Sequence, residues 1–220
     1  MWRIGRFVAG VVAMVGIYSF SLGWINLFRE VSLTPSIRLS AYGFAAGSLL
    51  WIFLGRVLRF FQNFEHEITH LLVGLLFLKR PHAIFASEDQ GGVVSLYGSN
   101  FIITLAPYFL PTFSLLVLPF FPLFQSDFHA YLYVALSFVT GYHVVSTLQE
   151  FSFRQPDIQT SGIIFSVLFC LFANLAILGF LVAFVSGGLS GGGEFLLSGF
   201  KAGVLSISLV VREFRSYLPR

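Results

Sequence analysis

Charge is the scarcest ingredient of this chain. Lys, Arg, Asp and Glu make up 10% of its 220 residues, against about 25% in soluble globular proteins. With 56% hydrophobic residues and a mean hydropathy of +0.85, that shortage excludes a hydrated soluble domain. It points to a multi-pass integral membrane protein of the cell or inner membrane. Cysteine is almost missing as well. Cys170 is the only one, which excludes an intramolecular disulfide and a Cys-rich metal site, and it reads as an inert packing residue. Basic runs are also lacking: Arg3, Arg6, Arg56, Arg59, Lys79, Arg80, Arg212 and Arg215 stand at segment ends as anchors and topology signals. Nucleic acid is therefore excluded as a partner, and the lipid bilayer is the expected one. No small-x-small cleavage pattern follows the apolar residues 7–20, so the first segment reads as an uncleaved span.

What is present is a series of apolar runs at 4–27, 39–58, 61–78, 101–123, 129–149 and 162–186, each able to cross or nearly cross about 30 Å of hydrocarbon. A seventh run, 195–211, is short, carries Lys201 and follows a glycine-rich linker at 186–193. A last span and an interfacial helix fit it equally. The expected fold is an all-α polytopic membrane protein of six or seven transmembrane helices, with a small β-hairpin after the third span. It forms one membrane-embedded domain over 1–220, with a core at about 60–170 and a linker plus short C-terminal helix at 187–220. Nothing in the sequence sets the oligomeric state.

The hairpin rests on two β-prone runs near 83–87 and 93–97 that flank a polar Glu88-Asp89-Gln90-Gly91-Gly92 turn. Open strand edges cannot face lipid, so the hairpin must sit at the surface or line a protein cavity, where a peptide could be held. The next stretch carries Pro107, Pro111, Pro119 and Pro122. These prolines imply kinks or a re-entrant course in which the freed carbonyls need other partners.

Inside the third apolar run stands His66-Glu67-Ile68-Thr69-His70, an HExxH sequence. With five His and seven Glu in the chain, a random match is expected only about 0.004 times. Residues four apart share one helix face, so the two imidazoles can converge on one metal while Glu67 reaches a metal-bound water. The motif runs directly into Leu71-Leu72-Val73-Gly74-Leu75-Leu76-Phe77-Leu78. An ionisable residue at bilayer depth costs on the order of 3 kcal/mol, which marks a functional site.

A catalytic zinc site uses three protein ligands plus water, so a third must be found. Asp89, Asp127, Asp157 and His143 are the candidates, with Glu150 and Glu194 weaker ones. Asp157 also reads as a helix cap after Pro156, and His143 as a hydrogen-bonded core histidine. At this point the chain resembles the site-2 protease family of intramembrane zinc metalloproteases. The likeness runs through residues 66–70, Gly74, the hairpin with Gly91 and Gly92, Leu105-Ala106-Pro107, and Asp157 ahead of a late helix. In place of the family's Leu-Asp-Gly the chain has Gln155-Pro156-Asp157-Ile158.

The resemblance implies a Zn2+ held by His66, His70 and an aspartate, which Asp157 best supplies, with Glu67 as general base. It also implies membrane-spanning proteins as substrates. The expected activity is then zinc-dependent hydrolysis of peptide bonds within the bilayer, a form of regulated intramembrane proteolysis. The rival readings are a transporter or channel using intramembrane His and Glu, and a non-catalytic zinc-binding scaffold. Gln62, Asn63, Glu65 and Thr69 fit equally a water cavity and the interfacial start of the helix, and Asn100, His143 and Asn174 are the oxyanion candidates.

One geometric conflict stands in the way. If 61–78, 101–123 and 129–149 all cross fully, Asp157 emerges on the side where the HExxH helix ends, whereas His66 and His70 lie near its start. A re-entrant 101–123 stretch, or a chain that dips back between Gly141 and Asp157, removes it.

Overall fold

The computed structural model describes residues 2–87 and 91–217. It is mostly helical, with one small antiparallel sheet, in the order α1 (Trp2–Glu30), α2 (Pro35–Leu54), α3 (Arg59–Leu76), β1 (Pro81–Ser87), β2 (Gly91–Leu96), α4 (Phe101–Leu105), α5 (Thr112–Val117), α6 (His129–Glu150), α7 (Pro156–Ser161) and α8 (Ile163–Tyr217). Short 3-10 turns follow α4 and α5 and precede α6. Among the described residues four helical stretches are long and apolar enough to cross a membrane, or five if the bent pair Phe101–Tyr108 and Thr112–Leu123 counts as one span. The expected span at 61–78 is not among them. Arg59, Gln62, Asn63, Glu65, His66, Glu67 and His70 make α3 too polar for that class, and it is an amphipathic helix that buries Glu65, Glu67, Thr69, Val73 and Gly74.

The chain forms two compact units: residues 33–163, and residues 1–32 with 164–220. The first holds α2 to α7, and its frame is the pair α2 and α6. A Cβ on Gly43 would lie 2.6 Å from the Val134 carbonyl oxygen, and one on Gly47 2.0 Å from that of Phe138. The Gly43-x-x-x-Gly47 repeat therefore brings two backbones together, which is how helices associate without a hydrophobic drive in an apolar environment. The contacts 43/134, 47/138 and 51/142 advance together, so the two helices run the same way. Helix α3 runs opposite: Gln62 meets Ser146 while Glu65 meets His143.

That polarity settles the course of 101–123. The chain leaves α3 at the end where α6 begins, so the segment between them must come back to its own side. Descending, it passes His70 at Ile103 and His66 at Tyr108. Pro107 and Pro111 then break it with an 86° bend. Returning, it passes Thr69 at Thr112, pairs Ser114 with Thr140, and ends with the Phe121 carbonyl on His129. The stretch doubles back to the side it came from, as a broken span or a re-entrant loop does.

In the second unit α8 contains Gly188 at φ 63 and ψ −156, outside helical space. Phe195 lies against Gly179 and Phe180 against Gly192, so the chain doubles back on itself at Gly188 as an antiparallel helical hairpin. The glycine-rich 186–193 segment is thus a turn inside helix, and the 195–211 run belongs to the returning arm. Phe20, Ala176, Ala183 and Phe195 form this unit's core, and Trp24 Nε1 donates to the Leu175 carbonyl at 2.9 Å.

The glycine contacts carry a prediction. Gly47→Ala would have to separate α2 from α6 and is expected to cost about 1–3 kcal/mol, read as a lower Tm in detergent. Gly5→Ala, where a Cβ meets nothing, should be neutral or slightly stabilising. Equal melting of the two variants would contradict the packing.

Candidate metal centre

The HExxH spacing places His66 and His70 on one face of α3, one turn apart. Their Nε2 atoms lie 3.1 Å from each other, and each lies 3.4 Å from Asp157 Oδ2. Ligands bound tetrahedrally at 2.0–2.2 Å stand about 3.3–3.5 Å apart, so the triangle comes close to the size that a small metal ion requires. These are the only His, Cys, Asp or Glu side chains among the described residues that gather in this way. The side chains of His66, His70 and Asp157 are 11%, 12% and 27% exposed, which leaves one side open for a fourth ligand.

Each ring is turned by what its other nitrogen meets. His70 Nδ1 lies 2.8 Å from the Ile103 carbonyl, which can only accept, so Nδ1 carries the proton and Nε2 presents a lone pair to the centre. That carbonyl is available for a local reason. Its helical partner four residues on is Pro107, which has no N–H; Ala106 covers it only in part through a 3-10 bond, leaving room for the imidazole. His66 Nδ1 faces the Glu150 carboxylate at 2.9 Å. Two lone pairs and a carboxylate oxygen at such range repel unless a proton or cation lies among them. The donor set fits a divalent metal.

Asp157 reaches the centre because α6 ends beside the start of α3, and the chain then turns back through residues 151–155. The helix cap of α7 is Gln155; Asp157 sits in its first turn and accepts a hydrogen bond from the Tyr108 hydroxyl at 3.4 Å. The capping role that its sequence position suggested is therefore not the one it fills.

Glu67 is buried on the same helix, interacts electrostatically with His66, His70 and Asp157, and accepts a hydrogen bond from the backbone N–H of Val94 in β2. The hairpin thus lies against the site, with both strands packed on α3. Its register pairs Ile84 with Val94 and Ser87 with Gly91. Gly74 lets β2 approach, since a Cβ there would meet Leu96 at 2.5 Å.

The remaining sequence candidates fall elsewhere. His143 is buried 3.9 Å from Glu65 Oε1 and does not join the triangle. Asp127 lies in the turn before α6, and Glu194 in the other unit, where Ser190 donates to it. Asp89 lies outside the described residues, as do Glu88 and Gln90. Asn100 caps α4 through Oδ1, at 2.9 Å from Ile102 N and 3.0 Å from Ile103 N, and Asn174 donates to the Cys170 carbonyl in the second unit. Gln62, Glu65 and Thr69 do line a small polar cavity, together with His66, His143 and Glu150; Asn63 does not. Sequence reasoning offered Glu150 only as a weaker ligand candidate, and missed Tyr108 and the Ile103 carbonyl. Only the last had a signal, a proline four residues downstream.

No protein-family model, curated protein or solved structure matches the chain.

Proposed function

We propose that the chain is a zinc-dependent intramembrane endopeptidase that hydrolyses peptide bonds of membrane-spanning proteins, in the manner of the site-2 protease family it resembles. The observation that carries this reading is the triangle of His66, His70 and Asp157 with Glu67 beside it. Those three side chains would hold the metal. When bound, zinc lowers the pKa of its water toward about 7 and polarises a carbonyl. Glu67 contributes the proton transfers, taking a proton from the attacking water and giving it to the leaving amine. The Val94 N–H fixes the carboxylate for that work. The polar cavity lined by Gln62, Glu65, Thr69 and Glu150 touches the motif at His66.

A substrate helix must unwind locally to offer its carbonyl. Strand β2 has a strand neighbour on one side only, and the Val94 N–H that meets Glu67 belongs to this hairpin. An extended segment added to the sheet would pass alongside the base. Val94→Pro removes that donor. It is expected to lower cleavage about tenfold, the worth of one hydrogen bond to a charged group, with a smaller change in Tm. A proportionate loss of fold and activity would argue against this role.

The experiment is metal analysis of the purified chain beside cleavage of a transmembrane substrate reconstituted with it. One zinc per chain and a cut within the substrate's span are expected. A zinc-free chain overturns the reading, and a zinc-bound chain that cuts nothing leaves a scaffold or a transporter.

A further inference from the structure

Glu150 is the last residue of α6 and its side chain is only 19% exposed. Both facts are locally unfavourable. A carboxylate at a helix C-terminus opposes the helix dipole, and burying it costs free energy unless partners satisfy it. Its partners come from α3, 84 and 88 residues away in sequence: Oε1 lies 2.9 Å from His66 Nδ1, and Oε2 accepts from Gln62 Nε2 at 3.4 Å. Gln62 and His66 are four apart, so one face of α3 presents both. Gln62 also donates to the Ser146 carbonyl at 3.4 Å, and Gln155 Nε2 reaches the Glu150 carbonyl at 3.5 Å. The carboxylate is thus held by two side chains of α3, at the back of a ring whose Nε2 points into the triangle.

We propose that Glu150 is a positioning residue that orients and polarises His66 for the metal, completing a carboxylate–histidine–metal relay. The inference rests on the zinc reading above. The two histidines are then held by unlike acceptors, a neutral carbonyl for His70 and a charged carboxylate for His66. An anion behind the ring favours the Nδ1–H tautomer and makes Nε2 the stronger donor to a cation. The 2.9 Å approach lies off the N–H direction, so His66 Nδ1 lacks an aligned hydrogen bond. The contact acts there as a charge placed against the correct nitrogen. Glu150 itself touches neither water nor substrate in this scheme.

Zinc affinity, measured by chelator competition on the purified full-length chain, tests this without reference to catalysis. Glu150→Ala is expected to weaken zinc 10- to 100-fold. Glu150→Gln, which keeps an oxygen at the same place but loses the charge, should recover only part of that loss. Glu150→Asp keeps the charge but retracts it by a methylene, and should bind as poorly as the alanine variant. In the metal-free protein, nitrogen-15 NMR should find His66 protonated at Nδ1 in the wild type and in Glu150→Gln. The tautomers should mix in Glu150→Ala and Glu150→Asp.

If Glu150→Ala fails to fold, the Gln and Asp variants still decide the matter. Zinc bound equally by wild type, Gln and Asp variants overturns the positioning role and leaves the zinc site standing. A wild type that takes up no zinc removes the site and this inference together.

Discussion

Glu67→Gln is expected to retain one zinc per chain and to lose cleavage by about 10²- to 10⁴-fold, the usual contribution of a positioned general base. The retention follows from geometry, because the triangle is built from His66, His70 and Asp157 and does not include Glu67. The amide oxygen of Gln can still accept from the Val94 N–H, so the seating of β2 on α3 should survive. What the amide cannot do is take a proton from water at neutral pH. The variant therefore separates the metal site from the chemistry on it. Metal analysis and cleavage of a reconstituted transmembrane substrate, run on the same preparation, read the two halves. Cleavage within a few-fold of wild type would falsify the general-base role and with it the peptidase mechanism.

Much of the site could be read in the sequence, for reasons that differ element by element. His66, Glu67 and His70 were legible because their relation is local: a helix converts a spacing of four into one face, with no help from the rest of the fold. The hairpin was legible from alternation and glycine, and it forms at 81–96, within two residues of the expected start. The glycine-rich 186–193 segment was misread as a linker because composition does not reveal that helices resume on both sides of one residue, Gly188.

Long-range relations were the illegible part. The prolines of 101–123 announced a break, but the doubling back depends on α2 and α6 running parallel, which the Gly43-x-x-x-Gly47 contact brings about. Once that contact is in place, Asp157 emerges at the start of α3 instead of its end. The conflict between its place in the chain and the position of His66 then disappears. Glu150 was legible only as a weaker ligand candidate near a span end, since nothing local to residue 150 says that residues 62 and 66 will lie opposite it.

His66→Ala, His70→Ala and Asp157→Ala should each lose zinc and activity together, whereas His143→Ala should keep the metal. A centre reduced to two protein ligands holds zinc weakly, so occupancy after dialysis is expected to fall from one per chain to near zero. For the aspartate variant the loss has a second source. The Asp157 carboxylate is the only anion in the triangle; without it a dication would face two neutral imidazoles, which at low dielectric is a poor substitute. His143 serves as the control because it is as buried as any histidine in the chain, yet its near partner is Glu65 and its distance from the triangle excludes it as a donor. Circular dichroism and Tm separate metal loss from unfolding, and X-ray absorption on the wild type should find two nitrogens and one protein oxygen within about 2.2 Å of zinc. Full occupancy in Asp157→Ala with an empty site in His143→Ala would move the third ligand to α6, and with it the catalytic water to the far side of α3.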